Sequence, residues 1–244
     1  MKTIAFWNRK GGTGKTTTAG NVAADLRNYG RTLLVDCDPQ SNLTSWLVTK
    51  GAEHELVDVL TSTVGLPLAV VNVRAALDVL PSFAIGGELK TWAETKLPGQ
   101  PFAFADLREA IHAVGYQYAV FDMAPGDSTL ERAALAVADE VGLVAAPEYF
   151  SADGLEAAAD TLQAVLRDRR AHFQASCLVV NRVNRSYAAH EVFTEAFGAS
   201  GYRLYTIGQS TGIHDALMLH KTIWDHDPGN RWITEYKRLT KELQ

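Results

Sequence analysis

The chain contains 244 residues, of which 47% are hydrophobic and 21% are charged, and its formal net charge is −5. These values are ordinary for a soluble globular protein, and the length suits one large α/β domain with a substantial core. No apolar run is long enough to cross a bilayer, and the N-terminus lacks the pattern of a secretory signal. Because the net charge is negative, any binding to nucleic acid must use a local basic patch.

A glycine-rich stretch, residues 8–18, follows the apolar, β-prone residues 3–7 and precedes a segment with a helical period. A glycine-rich turn between a strand and a helix N-terminus is typical of a phosphate-binding loop. Glycines remove the β-carbons that would keep an oligophosphate away from the backbone N–H groups, and the helix dipole favours the same negative charge. In such a loop Lys15 reaches the β- and γ-phosphates, and the Thr16 hydroxyl ligates Mg²⁺. The predicted nucleotide-binding residues of the loop are Gly11, Gly12, Thr13, Gly14, Lys15, Thr16 and Thr17.

Strand and helix patterns alternate along the rest of the chain. Helix 15–29, with Gly30 as its C-terminal cap, leads to a strand at 31–38 and a short helix at 41–48 that begins at Ser41. Further strands are predicted at 77–81, 118–122, 140–145, 177–181 and 203–207, and further helices at 55–60, near Trp92, and at 104–114, 128–138, 151–170, 187–197, 212–219 and 230–243. This order predicts a doubly wound, mostly parallel sheet with helices on both faces, in one domain that spans residues 1–244. Cys37 and Cys177 fall in predicted buried strands, so we expect neither a disulfide nor a metal site there. Their use as small core residues indicates a protein of a reducing compartment.

Polar side chains follow several of these strands where each strand ends. Beside the glycine-rich loop they are Asp36 and Asp38, then Asp122, then Asn181. Ligands of open parallel sheets bind at the carboxyl ends of the strands, so these groups can converge on one nucleotide. Asp122 has the position of the acid that holds the Mg²⁺ shell in P-loop NTPases, and only one of Asp36 and Asp38 is expected to point at the phosphates. Taken singly, each acid has the alternative of a helix cap or a surface residue.

The loop departs from the general P-loop pattern, because Arg9 stands where a glycine is expected and Lys10 precedes two glycines. The variant Lys-Gly-Gly-x-Gly-Lys-Thr resembles the ParA/MinD family of dimerising ATPases, and residues 36–40 resemble its first switch, Asp-x-Asp-Pro-Gln. The resemblance implies that Asp38 positions or activates the attacking water while Asp36 supports the metal site. It also implies that Asn181 hydrogen-bonds the adenine edge, and that Lys10 crosses a dimer to the partner's phosphates. The alternatives are a turn asparagine at 181 and a solvated lysine at 10.

The resemblance extends over nearly the whole chain, including residues 147–155, Ile213, Ala216 and residues 227–228, with two departures. The family often has paired prolines after the aspartate that corresponds to Asp122, where this chain has Met-Ala-Pro. It usually has Ile-Pro where this chain has Ile207-Gly208, which changes a loop expected near the adenine and the DNA-binding face. Because only two residues precede the first strand, we expect no N-terminal helix-turn-helix domain and no dedicated reader of base sequence.

By this resemblance the chain is a partition ATPase that uses ATP and Mg²⁺, forms an ATP-dependent homodimer and binds nonspecific DNA. A ParB-like centromere-binding protein or a cargo adaptor would accelerate its slow hydrolysis, and plasmid or chromosome DNA or a protein assembly would be the cargo. We expect a cytoplasmic, nucleoid-associated protein of a bacterium or archaeon. Arg182 and Arg185 are the first candidates for DNA contacts. The other basic candidates are Arg167, Arg169, Arg170, Arg203, Lys221, Lys237 and Arg238, and a solvated surface charge is the alternative for each.

Two functions of other classes remain open from the sequence. A MinD-like membrane-cycling ATPase would use the apolar stripe of the last helix, which carries Trp232, Ile233, Tyr236, Leu239 and Leu243, as an interfacial anchor. The favoured interpretation of this stripe is packing on the sheet, so a membrane partner is not expected. A metabolic ATP-dependent ligase of the same fold would have no use for Lys10 or the Asp-Pro-Gln switch. A carrier of metal clusters would need a cysteine pair to bridge a cluster, and Cys37 and Cys177 are expected to be buried in separate strands and so unavailable for that role.

Overall fold

A computed structural model describes residues 1–147, 152–168, 171–184, 186 and 201–244 of the chain. The strands are β1 (Lys2–Trp7), β2 (Thr32–Cys37), β3 (Val71–Arg74), β4 (Leu77–Leu80), β5 (Tyr118–Met123), β6 (Glu140–Ala145), β7 (Gln174–Val183) and β8 (Arg203–Gly208). The helices are α1 (Lys15–Leu26), α2 (Asn42–Leu47), α3 (Leu56–Leu60), α4 (Leu66–Ala69), α5 (Leu89–Thr95), α6 (Ala103–Ala113), α7 (Thr129–Leu135), α8 (Ala152–Asp168), α9 (Thr211–Met218), α10 (Ile223–His226) and α11 (Ile233–Glu242). A single 3₁₀ turn, Leu97–Gly99, joins α5 to α6.

The described strands form one sheet in the order β3-β4-β2-β5-β1-β6-β7-β8. Only β3 runs antiparallel to its neighbour, and the other pairs are parallel. Strand β1 lies in the middle, between β5 and β6, so the loop that follows it opens at the centre of the sheet's carboxyl edge. The order reverses on either side of β1, which is where open α/β sheets bind their ligands. The predicted doubly wound, mostly parallel sheet is confirmed.

Helices cover both faces of the sheet, because successive residues of a strand point to opposite faces. In β1, Ala5 and Trp7 pack into one apolar cluster, while Ile4 and Phe6 pack into the other. The first cluster lies under α3 to α8, and the second lies under α1, α2 and the three C-terminal helices. All of these β1 side chains are fully buried.

The apolar stripe of the last helix packs against the body of the protein, as favoured from the sequence. Tyr236, Leu239 and Leu243 are fully buried and Ile233 nearly so, within the cluster that also holds α1. The polar face carries Lys237, Arg238 and Lys241, which are exposed. Within the described ranges, no helix combines the length and apolar character that a bilayer crossing requires.

Some predicted boundaries and caps are wrong. Helix α1 ends at Leu26 and not at residue 29, and Gly30 is not its cap. A β-carbon on Gly30 would lie 2.8 Å from Cβ of Gln117, so glycine is needed there for close packing. Ser41 precedes α2 with a φ of 54°, but its hydroxyl accepts no capping bond from the helix N–H groups and pairs instead with the hydroxyl of Ser82. The last helix begins at Ile233, after a turn closed by the bond from Asn230 N to Asp227 O.

Other predicted elements are present with edges that differ by up to three residues, and β6 has the predicted limits. Ser128 caps α7 by accepting from Leu130 N, and Glu131 returns a bond from the Ser128 N–H. Strand β3 and helices α4 and α10 were not predicted. The predicted helix at 187–197 lies outside the described residues.

Candidate nucleotide-binding site

The loop between β1 and α1 has the backbone shape that its glycines permit. Gly12 and Gly14 adopt left-handed φ values of 72° and 92°, which side chains with a β-carbon rarely adopt. A β-carbon on Gly14 would also lie 2.7 Å from Nδ2 of Asn181. Gly14 stands directly before the N-terminus of α1, whose first turn carries no acidic residue. The unsatisfied N–H groups of the loop and the first turn are therefore arranged for an anion.

Asn8 holds the start of this loop against the neighbouring strand. Its side chain is buried, and its Nδ2 donates to the carbonyl oxygen of Val144 in β6 at 2.8 Å. Its Oδ1 accepts from the N–H of Lys10 at 3.1 Å. The position of Lys10 relative to the sheet is thus fixed by a buried amide rather than by the loop alone. The Lys10 residue itself is exposed.

The Lys15 ammonium lies inside the loop. Its Nζ donates to the carbonyl oxygen of Lys10 at 2.9 Å, and the residue is only 6% exposed. Burial lowers the pKa of Lys15, and the carboxylates of Asp122, Asp38 and Glu131 oppose that change. Because the hydrogen bond that the structure describes for this buried cation goes to a neutral carbonyl, the cation gains from the arrival of an anion, and the loop is ready for a phosphate.

Asp122 lies next to this cation at the end of β5, beside Phe6 of β1 and Asp36 of β2 in the strand register. It is fully buried, and neither carboxylate oxygen accepts a hydrogen bond of good geometry from any residue that the structure describes. Burial raises the pKa of Asp122 well above its usual range, and the Asp36 carboxylate raises it further. The Thr16 hydroxyl and the Lys15 ammonium act in the opposite direction.

These groups fit a bound Mg²⁺ with a nucleotide. An orphaned buried carboxylate beside a threonine hydroxyl is what a hard cation with oxygen ligands requires. No three His, Cys, Asp or Glu side chains of the described ranges are grouped to hold a metal by themselves. Mg²⁺ in P-loop sites commonly takes one or two protein ligands and completes its shell with phosphate and water, so the fit is to a metal that arrives with a nucleotide.

Asp36 differs from Asp122, because its carboxylate is already hydrogen-bonded within the protein. It accepts from the N–H and the hydroxyl of Thr44 in α2 at 2.9 and 2.6 Å, and from the N–H of Asp38 at 3.2 Å. Burial raises its pKa from 3.8 to about 7, against the effect of the Thr44 bonds. The arrangement makes Asp36 an anchor for α2 and for the start of the switch. Its predicted support of the metal site stays a prediction.

Ser82, the second residue after β4, also holds residues 36–40, from the side opposite Asp36. Its hydroxyl donates to the carbonyl oxygen of Asp38 at 2.8 Å, and its N–H donates to the Thr44 hydroxyl at 3.1 Å. Asp38 lies just beyond the end of β2 and is 6% exposed, and its Oδ1 accepts from the N–H of Gln40 at 2.8 Å. Thr44 and Ser82 were not predicted from the sequence, since each acts through partners that are distant in the chain.

Asn181, at the end of β7, contacts the phosphate-binding loop directly. Its Nδ2 donates to the carbonyl oxygen of Thr13 at 3.1 Å and to the hydroxyl of Thr18 at 3.0 Å. The amide nitrogen is therefore committed to the loop, and the predicted bond to the adenine edge stays a prediction. Strand β7 is irregular here, because its register with β8 shifts between Val180 and Val183. The irregularity buries Asn181 and turns Arg182, with a φ of 57°, out to solvent.

A cavity of about 490 Å³ adjoins the loop at Gly14, Thr17 and Asn181. Its walls come from the ends of β7 and β8, from α9 and from α11, and they contain both apolar and polar groups. The wall residues are Arg182, Ile207, Gly208, Gln209, Ser210, Thr211, Ile213, His214, Leu217 and Tyr236. The size and the mixed lining suit a nucleoside. One indication of these walls was present in the sequence, because the resemblance places the loop at Ile207-Gly208 near the adenine.

The candidate DNA-binding residues are placed in different ways. Arg182 is exposed, and Arg169, Arg170 and Arg185 lie outside the described residues. Three other candidates form salt bridges: Arg167 with Asp168, Arg203 with Glu242, and Arg238 with Glu235. Lys221 and Lys237 are exposed. Of the two arginines that were first candidates, the structure describes only Arg182.

Known proteins are similar to this chain in sequence and in architecture. Residues 1–175 match a family model described as an AAA domain. The chromosome-partitioning ATPase Soj of Thermus thermophilus is 32% identical over 250 residues, which cover 100% of this chain and 95% of Soj. A structure from Borrelia burgdorferi, described as a plasmid partition protein bound to AMPPNP, aligns with a TM-score of 0.83 at 22% identity over 99% of this chain and 97% of that one. The septum site-determining protein MinD of Pyrococcus horikoshii, complexed with Mg-ADP, aligns with a TM-score of 0.77 at 22% identity over 100% and 96%. At such identities the two structural likenesses concern the fold.

Proposed function

Because the chain belongs to the ParA/MinD family of P-loop partition ATPases, we propose that it binds ATP with Mg²⁺, dimerises, holds DNA nonspecifically and hydrolyses ATP slowly. The observation that carries the proposal is the buried Asp122 carboxylate, which lacks a partner of good geometry among the described residues and adjoins Thr16 and Lys15 at the phosphate-binding loop. Leaving such a group uncompensated is costly, and a nucleotide with its metal relieves it. The whole chain, residues 1–244, acts as one ATPase domain.

Each predicted site residue takes a role in this proposal. Lys15 turns from the Lys10 carbonyl oxygen to the β- and γ-phosphates, while Thr16 and Asp122 hold Mg²⁺. When bound there, Mg²⁺ would neutralise the charge that develops on the phosphate oxygens. The loop residues Gly11, Gly12, Thr13, Gly14 and Thr17 surround the phosphates with N–H donors. The nucleoside occupies the cavity beside Asn181.

Hydrolysis requires a water molecule in line with the γ-phosphate, and Asp38 is the proposed group that orients it. Ser82 fixes the main chain of Asp38, and Asp36 fixes α2 behind it, so the carboxylate of Asp38 is positioned before the nucleotide binds. Lys10, presented on the exposed side of the loop, acts on the nucleotide of a second subunit and so joins dimerisation to catalysis.

The dimer is the proposed DNA-binding form. A monomer with a net charge of −5 has weak attraction for a duplex, and two copies of one basic patch on a rigid dimer bind by avidity. A ParB-like or cargo-bound partner is proposed to stimulate hydrolysis and release the dimer. We propose that the cargo is plasmid or chromosome DNA or another assembly, and that the protein acts in the cytoplasm on the nucleoid.

Two measurements test this proposal. Calorimetry should show tight binding of ATP only when Mg²⁺ is present. Lys15→Ala should weaken this binding about 100-fold, because a charge-assisted hydrogen bond contributes about 3 kcal/mol. Retention of an unrelated DNA duplex should be seen with ATP and not with ADP or without nucleotide. Near-native ATP affinity in the Lys15→Ala variant would show that the loop is not the nucleotide-binding site. Equal retention of DNA with ATP and with ADP would show that ATP does not control DNA binding.

A further inference from the structure

Gly208, which stands where the resembled family usually has proline, makes room for an aromatic ring. A β-carbon at this position would lie 2.0 Å from Cζ2 of Trp232, a distance that no side chain tolerates. The space is therefore filled by the indole that directly precedes α11. Trp232 is partly buried, and its Nε1 is buried without a hydrogen-bond partner among the described residues. The departure at Gly208 and the presence of Trp232 are two parts of one packing arrangement.

The indole supports an arginine. The guanidinium of Arg231 stacks on the Trp232 ring, with Cζ 4.6 Å from the ring centroid, and the residue is exposed. Stacking restrains the flat guanidinium while its N–H edge stays free to donate. Arg203 and Arg238 nearby are paired with carboxylates, whereas neither Arg182 nor Arg231 forms a salt bridge within the described ranges.

This arginine lines a groove of about 520 Å³, and no acidic residue is among its described lining residues. The other described lining residues are Val183, Asn184, Ser186, Gln209 and Trp232. Asn184 donates to Gln209 at 3.2 Å across the groove floor. Gln209 also lines the nucleoside cavity, which Arg182 borders on its solvent side. The groove and the cavity therefore meet along the ends of β7 and β8.

We propose that Arg231, held on Trp232, together with Arg182 binds the phosphate backbone of duplex DNA at this groove. The inference rests on the proposed function and adds a residue that sequence reasoning did not include. Guanidinium groups that form no salt bridge within the described ranges, at the edge of a groove whose described lining has no acid, match phosphate in charge and in bidentate geometry. Since the contacts reach phosphates and not base edges, binding is independent of base sequence.

The test is DNA retention with ATP across a salt series, for wild type, Arg231→Gln, Arg231→Lys and the control Lys241→Gln. The control removes an exposed positive charge from α11, away from the groove. Arg231→Gln should reduce the slope of log affinity against log salt by about 1 for each subunit. At 0.1 M salt, each lost contact should lower the affinity about tenfold. Arg231→Lys should keep the slope and bind several-fold more weakly, because a lysine does not stack as a flat ion. Lys241→Gln should stay within about twofold of wild type.

Unfolding midpoints and ATP affinity, measured for each variant, separate a lost contact from a damaged fold. If Arg231→Gln and Lys241→Gln retain DNA equally while wild type still needs ATP, the groove is not the DNA site and the proposed function stands. If wild type retains no DNA in any nucleotide state, the DNA-binding part of the proposed function fails together with the groove.

Discussion

The buried Asp36 carboxylate should make the nucleotide-free protein lose stability as the pH rises through neutrality. In the folded chain Asp36 keeps its proton up to a pKa of about 7, whereas in the unfolded chain it loses the proton near 3.8. The folded state therefore binds more protons between these values, and its stability falls as pH rises across that window. A difference of about 3 pKa units between the two states means that Asp36 contributes about 4 kcal/mol to the free energy of unfolding at low pH. About 2.5 kcal/mol of this contribution is lost between pH 5 and pH 8.

Urea unfolding of metal-free and nucleotide-free protein at pH 5, 6, 7 and 8 measures this effect. With a slope of roughly 2–3 kcal/mol per molar urea, the midpoint should fall by about 1 M between pH 5 and pH 8. Asp36→Asn removes one of two carboxyls whose pKa is raised in the folded chain, the other being Asp122, so the decline should become shallower without vanishing, although the substitution weakens the bonds from Thr44 at every pH. Glu109→Gln, a change at an exposed glutamate of α6, is the matched control and should decline as wild type does. A wild-type midpoint that is constant from pH 5 to pH 8, or an equal decline in Asp36→Asn, would refute the reasoning.

Three further outcomes are expected. Asp38→Ala should bind ATP and dimerise but hydrolyse ATP about 100-fold more slowly, and turnover within about threefold of wild type would show that another group orients the water. Ser82→Ala should lower kcat about tenfold with ATP affinity within about twofold, since it frees the main chain of Asp38 without touching the phosphates; a change in affinity alone would contradict this role. Lys10→Ala should keep ATP binding and lose the dimer in light scattering, whereas Arg9→Ala, a change at its exposed neighbour, should keep both; a dimer in the Lys10 variant would show that this lysine does not act across subunits.

The parts of the fold that depend on local signals were predictable. The glycines of the loop, the apolar strands and the capping box at Ser128 each act within a few residues, so their patterns are legible in the sequence. Strand β3 was missed because it is four residues long, only partly buried and separated from β4 by a tight turn at Ala76, whose φ is 59°. Short polar edge strands carry little periodicity.

The parts that depend on distant partners were not predictable. Glycine is the residue type typical of a helix C-terminal cap, which is why Gly30 was predicted to be one. The structure shows that glycine is needed there because the side chain of Gln117, far along the chain, leaves no room for a β-carbon. The sequence places Asp36 and Asp38 near the site but does not reveal that Thr44 occupies one carboxylate and that Ser82 holds the main chain of the other residue. Likewise, Gly208 was recognisable as a departure, and only the fold shows Trp232 in the vacated space.

The attachment of the C-terminal segment to α1 has a consequence for synthesis on the ribosome. The Asn21 side chain accepts from the N–H of Ile223 at 2.9 Å, and its carbonyl oxygen accepts from the Trp224 indole at 2.8 Å. The nascent chain therefore contains the whole phosphate-binding loop long before the groups that cover the back of α1 exist. At roughly 5–20 residues per second, about 200 residues separate the two events by some 10–40 s. During that interval the apolar back of α1 needs protection from aggregation, and α1 is covered only after residues 223 and 224 have been synthesised.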